Sequence, residues 1–315
     1  VGKPITDTLN IDVSATVRTI RWSGEAIDKV YDEIAPTPSD CLALVTRVPL
    51  GVVTAIVPWN FPLSTTAWKL APSLATGNSV ILKPATNTPL SALRVAELAT
   101  EAGLPEGVLQ VLPGSGSSLG KHLALHMDVD GLTFTGSTLV GKRLMEYSGQ
   151  SNLKRTFLEL GGKSPNIVFA DCNLEKATSS AALAVFYNGG QTCTAGTRLI
   201  VEESIMDEFL LKLVEHAKAW MPDNPLDPAT TMGPMIDETQ CQTVRDYVAI
   251  GKEEGATLLL GGSTVHEQTG GFYHEPTIFT NVNNQMRIAQ EEIFGPVLSV
   301  IPFKDAEQAV AIAKW

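Results

Sequence analysis

A cysteine in a turn of small and polar residues is the feature of this sequence best suited to covalent chemistry. Cys193 lies in Asn188-Gly-Gly-Gln-Thr-Cys-Thr-Ala-Gly196, directly after an apolar run with helical spacing. A thiol in a glycine-rich turn is open to attack a substrate, whereas structural cysteines mostly lie within periodic apolar patterns. The pattern favours a nucleophile, and a structural thiol is the alternative.

Two further polar residues could assist such a thiol. Glu159 begins Glu159-Leu-Gly-Gly-Lys163 and offers a carboxylate for general-base chemistry. Asn60 lies in Pro58-Trp-Asn-Phe-Pro62, where two prolines restrict the backbone and present the amide in one orientation. A charge at a strand edge and a structural loop asparagine are the simpler interpretations of these two residues.

Glycine-rich turns suggest a phosphate-binding segment, although none completes a nucleotide-binding motif. Gly136-Ser-Thr-Leu-Val-Gly-Lys142 has the spacing of a P-loop, but Arg143 replaces the hydroxyl residue that would bind magnesium. Gly136 and Ser137 lie where a strand pattern gives way to a helical one. Because backbone N–H groups at a helix N-terminus attract anions, we expect these two residues to bind phosphate. A simple tight turn is the alternative.

The composition is typical of a soluble globular enzyme. The chain has 315 residues, 44% of them hydrophobic, and its mean hydropathy is +0.09. At roughly 150 residues per domain, this length predicts about two domains. No apolar run reaches the roughly 18 residues of a membrane span, and the N-terminus lacks a basic segment followed by an apolar one. We therefore expect a cytoplasmic protein that does not bind membranes.

Charge and cysteine content argue against two further classes. The net charge of -11 disfavours nucleic-acid binding, because that binding depends on neutralising phosphates. The four cysteines are widely spaced and form no CxxC pair, which argues against a disulfide framework and against a zinc site. We expect reduced thiols and no metal.

Strand and helix patterns alternate along most of the chain. Strands are predicted at 52–57, 79–83, 108–112 and 132–135, and the intervening helices at 63–74, 90–102, 119–126 and from 138 to about 147. Such alternation predicts an α/β fold with a doubly wound parallel sheet, whose ligands bind at the carboxyl ends of the strands. A second α/β region follows residue 162, and residues 31–49 resemble a projecting β-hairpin. An exposed hairpin suggests an oligomer contact, with an ordinary surface excursion as the alternative.

Six motifs in fixed order resemble the NAD(P)-dependent aldehyde dehydrogenase superfamily. They are Pro58-Trp-Asn-Phe-Pro62, Lys83-Pro84, Phe134-Thr-Gly-Ser137, Glu159-Leu-Gly-Gly-Lys163, Gly190-Gln-Thr-Cys193 and Glu291-Glu-Ile-Phe-Gly-Pro296. The resemblance implies a Rossmann-like dinucleotide-binding domain at 1–30 and 50–161, an oligomerisation hairpin at 31–49 and a catalytic domain at 162–315. Compared with the family, the chain looks truncated at both ends, with the catalytic domain incomplete at its C-terminus.

The resemblance also implies roles for the three polar residues. Cys193 would be the nucleophile, forming a thiohemiacetal and then a thioester. The side-chain amide of Asn60 and the backbone N–H of Cys193 would stabilise the oxyanion, and Glu159 would activate the hydrolytic water.

Cofactor contacts follow from the same resemblance. They are Trp59, Lys83 and Thr86 toward the adenosine ribose, Gly136 and Ser137 toward the pyrophosphate, Leu160 near the nicotinamide, and Glu292 and Phe294 near its ribose. Many NAD-preferring members carry a glutamate at the position of Thr86, where it repels a 2′-phosphate. Because threonine removes that repulsion, we expect NADP to be accepted, alongside NAD.

The substrate is inferred less directly. Residues at positions that line the family's aldehyde tunnel are Phe61, Thr65, Trp68, Tyr187, Thr192 and Thr194; a core position is the alternative for Trp68. Scaffold segments are most similar to bacterial gamma-glutamyl-gamma-aminobutyraldehyde dehydrogenases of putrescine degradation, which predicts an aminoaldehyde. Succinate-semialdehyde or betaine-aldehyde oxidation is the alternative substrate class. A P-loop hydrolase and a catalytically silent relative are the competing classes of protein, and a homodimer or homotetramer is the expected assembly.

Overall fold

Helices and strands alternate through the computed structural model, which describes residues 1–314. The helices are α1 (Ile5–Asp7), α2 (Ser14–Ala26), α3 (Pro62–Ala75), α4 (Leu90–Glu101), α5 (Lys121–Leu125), α6 (Thr138–Gly149), α7 (Leu174–Phe186), α8 (Met206–Lys218), α9 (Glu238–Glu253), α10 (Arg287–Gln290) and α11 (Ala306–Ala313). The strands are β1 (Glu33–Ala35), β2 (Ala43–Val45), β3 (Val52–Ile56), β4 (Ser79–Lys83), β5 (Leu109–Val111), β6 (Gly131–Gly136), β7 (Arg155–Leu160), β8 (Pro165–Val168), β9 (Arg198–Glu202), β10 (Thr257–Leu260), β11 (Thr264–Val265), β12 (Tyr273–His274), β13 (Thr277–Thr280) and β14 (Val297–Phe303).

Residues 9–160 form one compact unit around a parallel sheet. Its strand order is β5-β4-β3-β6-β7, and every pairing is parallel. The chain runs outward from β3 through β4 to β5 and then returns to the other side of β3 with β6. The strand order therefore reverses between β3 and β6, which is where doubly wound sheets bind their ligands.

Helices cover both faces of this sheet because β3 is apolar on both sides. Ala55 and Val57 pack with α3 and α4 residues such as Leu70. The intervening Ile56 packs on the opposite face with Leu144 of α6. Side chains that alternate along a strand point to opposite faces, so a continuous apolar run requires cover on both.

A second compact unit contains Val1–Thr8 and the chain from Gly161 onward. Its sheet has the order β10-β13-β14-β9-β8, in which β10 pairs antiparallel and the remaining pairings are parallel. Leu298 of β14 packs toward α7 and α8, whereas Val297 packs toward α9 and α10. The predicted α/β fold with a doubly wound sheet, a second α/β unit and a hairpin (β1 and β2, antiparallel) is confirmed.

Three local predictions need correction. Residues 1–8 pack with the second unit rather than with residues 50–161, because the Ile5 N–H donates to the Pro225 carbonyl at 2.8 Å. The predicted helix 119–126 is a π-helical turn, Gly116–Gly120, followed by α5. The hairpin predicted at 31–49 has a short ladder, since only three residues of β1 pair with three of β2.

Candidate active site

The predicted cofactor residues of the first unit lie where its strands end. Trp59 and Asn60 follow β3, and Gly136 with Ser137 ends β6, so these two segments flank the reversal of strand order. Lys83 and Glu159 lie at the ends of β4 and β7. Because neighbouring parallel strands end at the same edge, the sheet gathers four segments that are far apart in sequence.

Asn60 is held in a rigid turn. It is only 4% exposed, and it immediately precedes the N-terminal turn of α3. The Thr65 N–H and the Thr65 hydroxyl both donate to the Phe61 carbonyl, at 2.9 and 2.7 Å. With Pro62 as the first residue of α3, this turn has little freedom to rearrange, as the two prolines predict.

Ser137 caps α6 at the end of β6. Its hydroxyl accepts a hydrogen bond from the Val140 N–H at 3.4 Å, while Ser137 itself is exposed. The remaining N–H groups of this first turn have no partner within a helix and carry the positive end of its dipole. Such a helix N-terminus can bind an anion, and phosphate binding at Gly136 and Ser137 stays a prediction.

Lys83 and Thr86 follow β4. Lys83 is 4% exposed, and its ammonium donates to the Pro84 carbonyl at 2.9 Å. Burial lowers the pKa of Lys83. Thr86 is exposed, and its hydroxyl donates to the Gly114 carbonyl at 3.3 Å.

Glu159 lies exposed near the end of the edge strand β7, next to the half-buried Leu160. This position fits both a catalytic carboxylate and a charge at a strand edge. Lys69 of α3 is a neighbouring charge that the sequence analysis missed. Its ammonium donates to the Thr133 hydroxyl at 3.0 Å, and burial lowers its pKa to about 8 against the opposing effect of the Glu159 charge.

In the second unit, the candidate residues lie at the opposite ends of the strands. The segments 161–164, 187–197 and 291–296 precede β8, β9 and β14 respectively. These three strands are parallel neighbours in the sheet. Their amino ends therefore share one edge, which gathers Lys163, Cys193 and Glu292.

The turn that carries Cys193 has an unusual backbone. Asn188, Gly189 and Gly190 all have positive φ, at 53°, 62° and 71°. The Asn188 amide donates to the Gln191 carbonyl at 3.1 Å, and the Gln191 amide donates back to the Asn188 carbonyl at 2.9 Å. Consecutive left-handed residues persist only where their surroundings hold them, and they are enriched at functional sites.

The cysteine turn packs directly against the segment that carries Glu292. A Cβ on Gly190 would overlap the Gly295 carbonyl, so glycine is required there for space as well as for its positive φ. Cys193 is half-buried. Of the other thiols, Cys41 is exposed, Cys172 is half-buried and Cys241 is buried, and burial raises the pKa of Cys241. The thiol of Cys193 is thus not sealed in an apolar core.

Glu292 is fixed from the side of Gly161 and Gly162. A Cβ on Gly161 would overlap the Glu292 carboxylate, and the Gly162 N–H donates to that carboxylate. Burial raises the pKa of Glu292, opposed by this hydrogen bond and by Lys163. One carboxylate oxygen, Oε1, is buried and has no hydrogen-bond partner among residues 1–314. A buried acceptor without a donor fits a ribose hydroxyl of a dinucleotide.

Lys163 has a buried ammonium for which the described part of the chain offers no hydrogen-bond partner. Burial lowers its pKa to about 7, opposed first by the negative charge of Glu292. Arg198, only 1% exposed, donates to the Lys163 carbonyl at 3.3 Å and to the carbonyls of Ile312 and Ala313 at 2.8 and 3.1 Å. The sequence analysis missed Arg198, because nothing in a strand pattern distinguishes a buried arginine from an exposed one.

The predicted substrate residues differ in exposure. In the first unit, Trp68 is 53% exposed, which excludes the core position considered for it, and Phe61 is half-buried. In the second unit, Tyr187 and Thr192 are half-buried and Thr194 is exposed. The Thr192 hydroxyl is buried without a hydrogen-bond partner, so it can accept or donate to a ligand. Phe294 has a positive φ of 57°.

Metal-binding clusters and membrane-spanning helices are both absent from the described chain. Within residues 1–314, no three His, Cys, Asp or Glu side chains are grouped so as to hold a metal ion. Over the same residues, none of the helices has the length and apolar character that crossing a membrane requires.

Comparison with known proteins places these residues in context. The chain is 53% identical over 313 residues to the NADP/NAD-dependent aldehyde dehydrogenase PuuC of Escherichia coli K12, covering 99% of this chain and 62% of that protein. A crystal structure of indole-3-acetaldehyde dehydrogenase complexed with NAD+ superimposes with a TM-score of 0.98 at 60% identity, covering 99% of this chain and 63% of that one. The gamma-glutamyl-gamma-aminobutyraldehyde dehydrogenase of Burkholderia cenocepacia J2315 superimposes with a TM-score of 0.97 at 55% identity, again over 99% and 63%.

The chain spans about three fifths of the length of these relatives. The model of the aldehyde dehydrogenase family matches residues 1–314. Since that match extends over all the described residues, the chain belongs to the aldehyde dehydrogenase family.

Proposed function

We propose that this protein oxidises an aldehyde to a carboxylate with NAD+ or NADP+, and that Cys193 is its nucleophile. The observation that carries the proposal is the half-buried thiol in a turn of consecutive left-handed residues, packed against the segment of Glu292. Such a backbone is costly to maintain, and a purely structural cysteine would not require it.

The first step is addition of the Cys193 thiolate to the carbonyl carbon, which forms a C–S bond and places negative charge on oxygen. The Asn60 amide and the Cys193 backbone N–H would donate hydrogen bonds to that oxygen. Donors already fixed in place stabilise the transition state more than mobile ones, because they need not reorganise. The rigid turn around Asn60 supports this role.

A nicotinamide dinucleotide, when bound, would supply the hydride acceptor that conversion of the tetrahedral adduct to a thioester requires. Glu292 would hold the nicotinamide ribose through its unpartnered oxygen, and Phe294 would pack nearby. Ser137 and Gly136 would bind the pyrophosphate, with Trp59, Lys83 and Thr86 toward the adenosine ribose and Leu160 toward the nicotinamide. The support is the capped helix at the reversal of strand order.

Glu159 would take a proton from the water that hydrolyses the thioester, releasing the carboxylic acid and the free thiol. Its exposure near the end of β7 gives it access to water.

The substrate that we propose is an aminoaldehyde such as gamma-glutamyl-gamma-aminobutyraldehyde. The support is the 55% identity to a dehydrogenase of that name and the 53% identity to PuuC. Indole-3-acetaldehyde is the second candidate, because a relative at 60% identity is named for it. The aromatic Trp68 and Phe61, neither of them buried, are compatible with either substrate.

We further propose that the hairpin of β1 and β2 contributes to a homodimer or homotetramer in the cytoplasm. Its side chains Ile34, Leu44 and Val48 are 72%, 60% and 77% exposed. Large exposed apolar groups on a two-stranded edge favour association. Replacing Leu44 by Glu should shift the protein to a smaller species in light scattering.

The central experiment measures reduced nicotinamide formed by the full-length protein. The aldehydes supplied are gamma-glutamyl-gamma-aminobutyraldehyde, indole-3-acetaldehyde, succinate semialdehyde and betaine aldehyde, each with NAD+ and with NADP+. Cys193→Ala should abolish oxidation and leave dinucleotide binding nearly unchanged. Cys172→Ala, the other half-buried thiol, is the matched control and should remain active. Equal activity of the two variants would refute the role of Cys193.

A further inference from the structure

One face of α9 holds segment 291–296 at three points. The Gln240 amide donates to the carbonyls of Ile293 and Phe294, at 3.0 Å each. Val244 packs against Gly295. The Tyr247 hydroxyl donates to the Glu291 carboxylate at 2.6 Å. Residues 240, 244 and 247 are spaced by four and three, so they lie on the same side of the helix.

Glu291 is held from a second direction by Arg287. The guanidinium donates twice to the carboxylate, at 3.0 and 2.9 Å, and lies 5.6 Å from the centre of the Tyr247 ring. The hydrogen bonds from Arg287 lower the pKa of Glu291 most, and the hydrogen bond from Tyr247 lowers it further. Burial and the bond to Glu291 raise the pKa of Tyr247 to about 12. The phenol therefore stays protonated and the carboxylate ionised, which makes the bond charge-assisted.

These contacts fix the residues on both sides of Glu292. Glu291, which precedes Glu292, is bound through its carboxylate by Tyr247. Ile293 and Phe294, which follow Glu292, are bound through their carbonyls by Gln240. Phe294 has a φ of 57°, a conformation that costs free energy in a non-glycine residue and needs support. Tyr247 and Gln240 of α9, together with Arg287, therefore hold the chain on both sides of Glu292, and the Gly162 N–H binds its carboxylate directly.

We propose that Tyr247 and Gln240 are positioning residues for the nicotinamide ribose. They act through segment 291–296 and need not touch the cofactor themselves. This inference rests on the proposed function, since it gives Glu292 a ribose to bind. A variant of Tyr247 or Gln240 that removes the hydrogen-bond donor should weaken dinucleotide binding. The KM for the aldehyde should stay unchanged.

The test uses the full-length protein with Tyr247→Phe, Gln240→Glu and Gln240→Met. The phenylalanine loses one hydroxyl, and the two glutamine replacements keep the length of the side chain without its donor. Gln242→Met is the matched control, because Gln242 lies exposed on the same helix and its side chain bonds to the exposed residues Asp246 and Arg245. Dissociation constants for NAD+ are measured by titration without aldehyde, followed by KM for each substrate and by thermal unfolding.

We expect the dissociation constant for NAD+ to rise about fivefold to tenfold in the three variants, as for the loss of one or two hydrogen bonds. KM for NAD+ should rise in parallel, and KM for the aldehyde and the unfolding temperature should stay near those of Gln242→Met. Unchanged NAD+ binding in all three variants would overturn the inference alone. A wild-type protein that binds no dinucleotide would overturn the proposed function as well.

Discussion

The two units present their candidate residues at opposite ends of their strands. In residues 9–160, Asn60 and Ser137 follow the carboxyl ends of β3 and β6, and Glu159 lies near the carboxyl end of β7. In the second unit, Cys193 and Glu292 precede the amino ends of β9 and β14. The first arrangement is common to doubly wound sheets, where capped helices and strand ends form ligand sites directly. In the second arrangement, the loops before the strands are held by side chains from distant segments of the chain, such as Gln240.

The two units also differ in the hydrogen bonds that hold the loops carrying these residues. Around Asn60 and Ser137, the bonds are local and join residues three or four apart. Around Cys193 and Glu292, they link distant parts of the chain: the Gln191 side chain accepts from the Ile236 N–H at 3.0 Å, and Gln240 donates to Ile293 and Phe294. Variants of Asn60 or Glu159 in the first unit should therefore affect chemistry with little loss of stability. In the second unit, a variant of Arg198, which is buried and bonds to three distant carbonyls, should lower stability.

The largest expected effect is that of Glu159→Gln in the first unit. Glutamine matches the shape of glutamate but cannot accept a proton, so steady-state turnover should fall about 10²-fold to 10⁴-fold. Rapid mixing should still show a burst of reduced nicotinamide, since thioester formation does not need this base. Glu146→Gln, an exposed carboxylate on α6, is the control. Loss of the burst together with turnover would contradict the assignment.

Asn60→Ala should lower kcat/KM about 10²-fold to 10³-fold, which corresponds to roughly 3 kcal/mol of lost oxyanion stabilisation. Affinity for NAD+ in a binding titration and the unfolding temperature should change little. A variant with wild-type kcat/KM would show that the asparagine is structural.

Arg198→Met tests the dependence of the second unit on distant bonds. The variant removes the guanidinium hydrogen bonds to the carbonyl groups of Lys163, Ile312 and Ala313. We expect the free energy of unfolding to fall by about 3 kcal/mol. Hydrogen exchange should quicken in the second unit and not in residues 9–160. The exposed Arg245→Met serves as control, and equal stability of both variants would remove this contrast between the units.

Thr86→Glu should alter cofactor preference in the first unit. A carboxylate beside a 2′-phosphate is repelled, so KM for NADP+ should rise about tenfold relative to KM for NAD+. Kinetics with both cofactors in wild type and variant provide the measurement. An unaltered ratio would place Thr86 away from the ribose.

The smallest effect is a pH dependence of stability from His274. This residue is 1% exposed, its Nε2 has no partner, and burial lowers its pKa from 6.5. Because the unfolded chain then binds the proton more readily, the contribution is present above about pH 6.5 and is lost as the pH falls toward the lowered value. Thermal unfolding of His274→Gln should show a shallower loss of stability below about pH 6.5 than wild type. Parallel curves would exclude His274 as the source.

Much of the first unit could be predicted from local patterns. The β-branched runs at 52–57 and 79–83 and the helices between and after them match β3, α3, β4 and α4 to within one or two residues. The segment at Gly136 and Ser137 is a capped strand-to-helix junction, as predicted. These signals are available because they depend on residues near one another in the chain.

The tertiary contacts could not be predicted from local sequence patterns. Residues 1–8 carry no pattern that assigns them to the second unit, since their hydrogen bond is to Pro225, more than 200 residues away. Tyr247 and Gln240 look like ordinary polar residues of an amphipathic helix. Only the packed structure shows that one face of that helix is bonded to the segment of Glu292.

The amino-acid sequence by itself determined the α/β architecture, the family resemblance and the residue types available for chemistry, because periodicity and motif spacing are properties of neighbouring residues. Tertiary structure decided which of those residues are held and how firmly. The left-handed turn before Cys193 and the buried, unpartnered oxygen of Glu292 depend on groups brought together from distant segments. Burial and long-range hydrogen bonds arise only when the chain folds, and they distinguish a positioned side chain from one that is merely present.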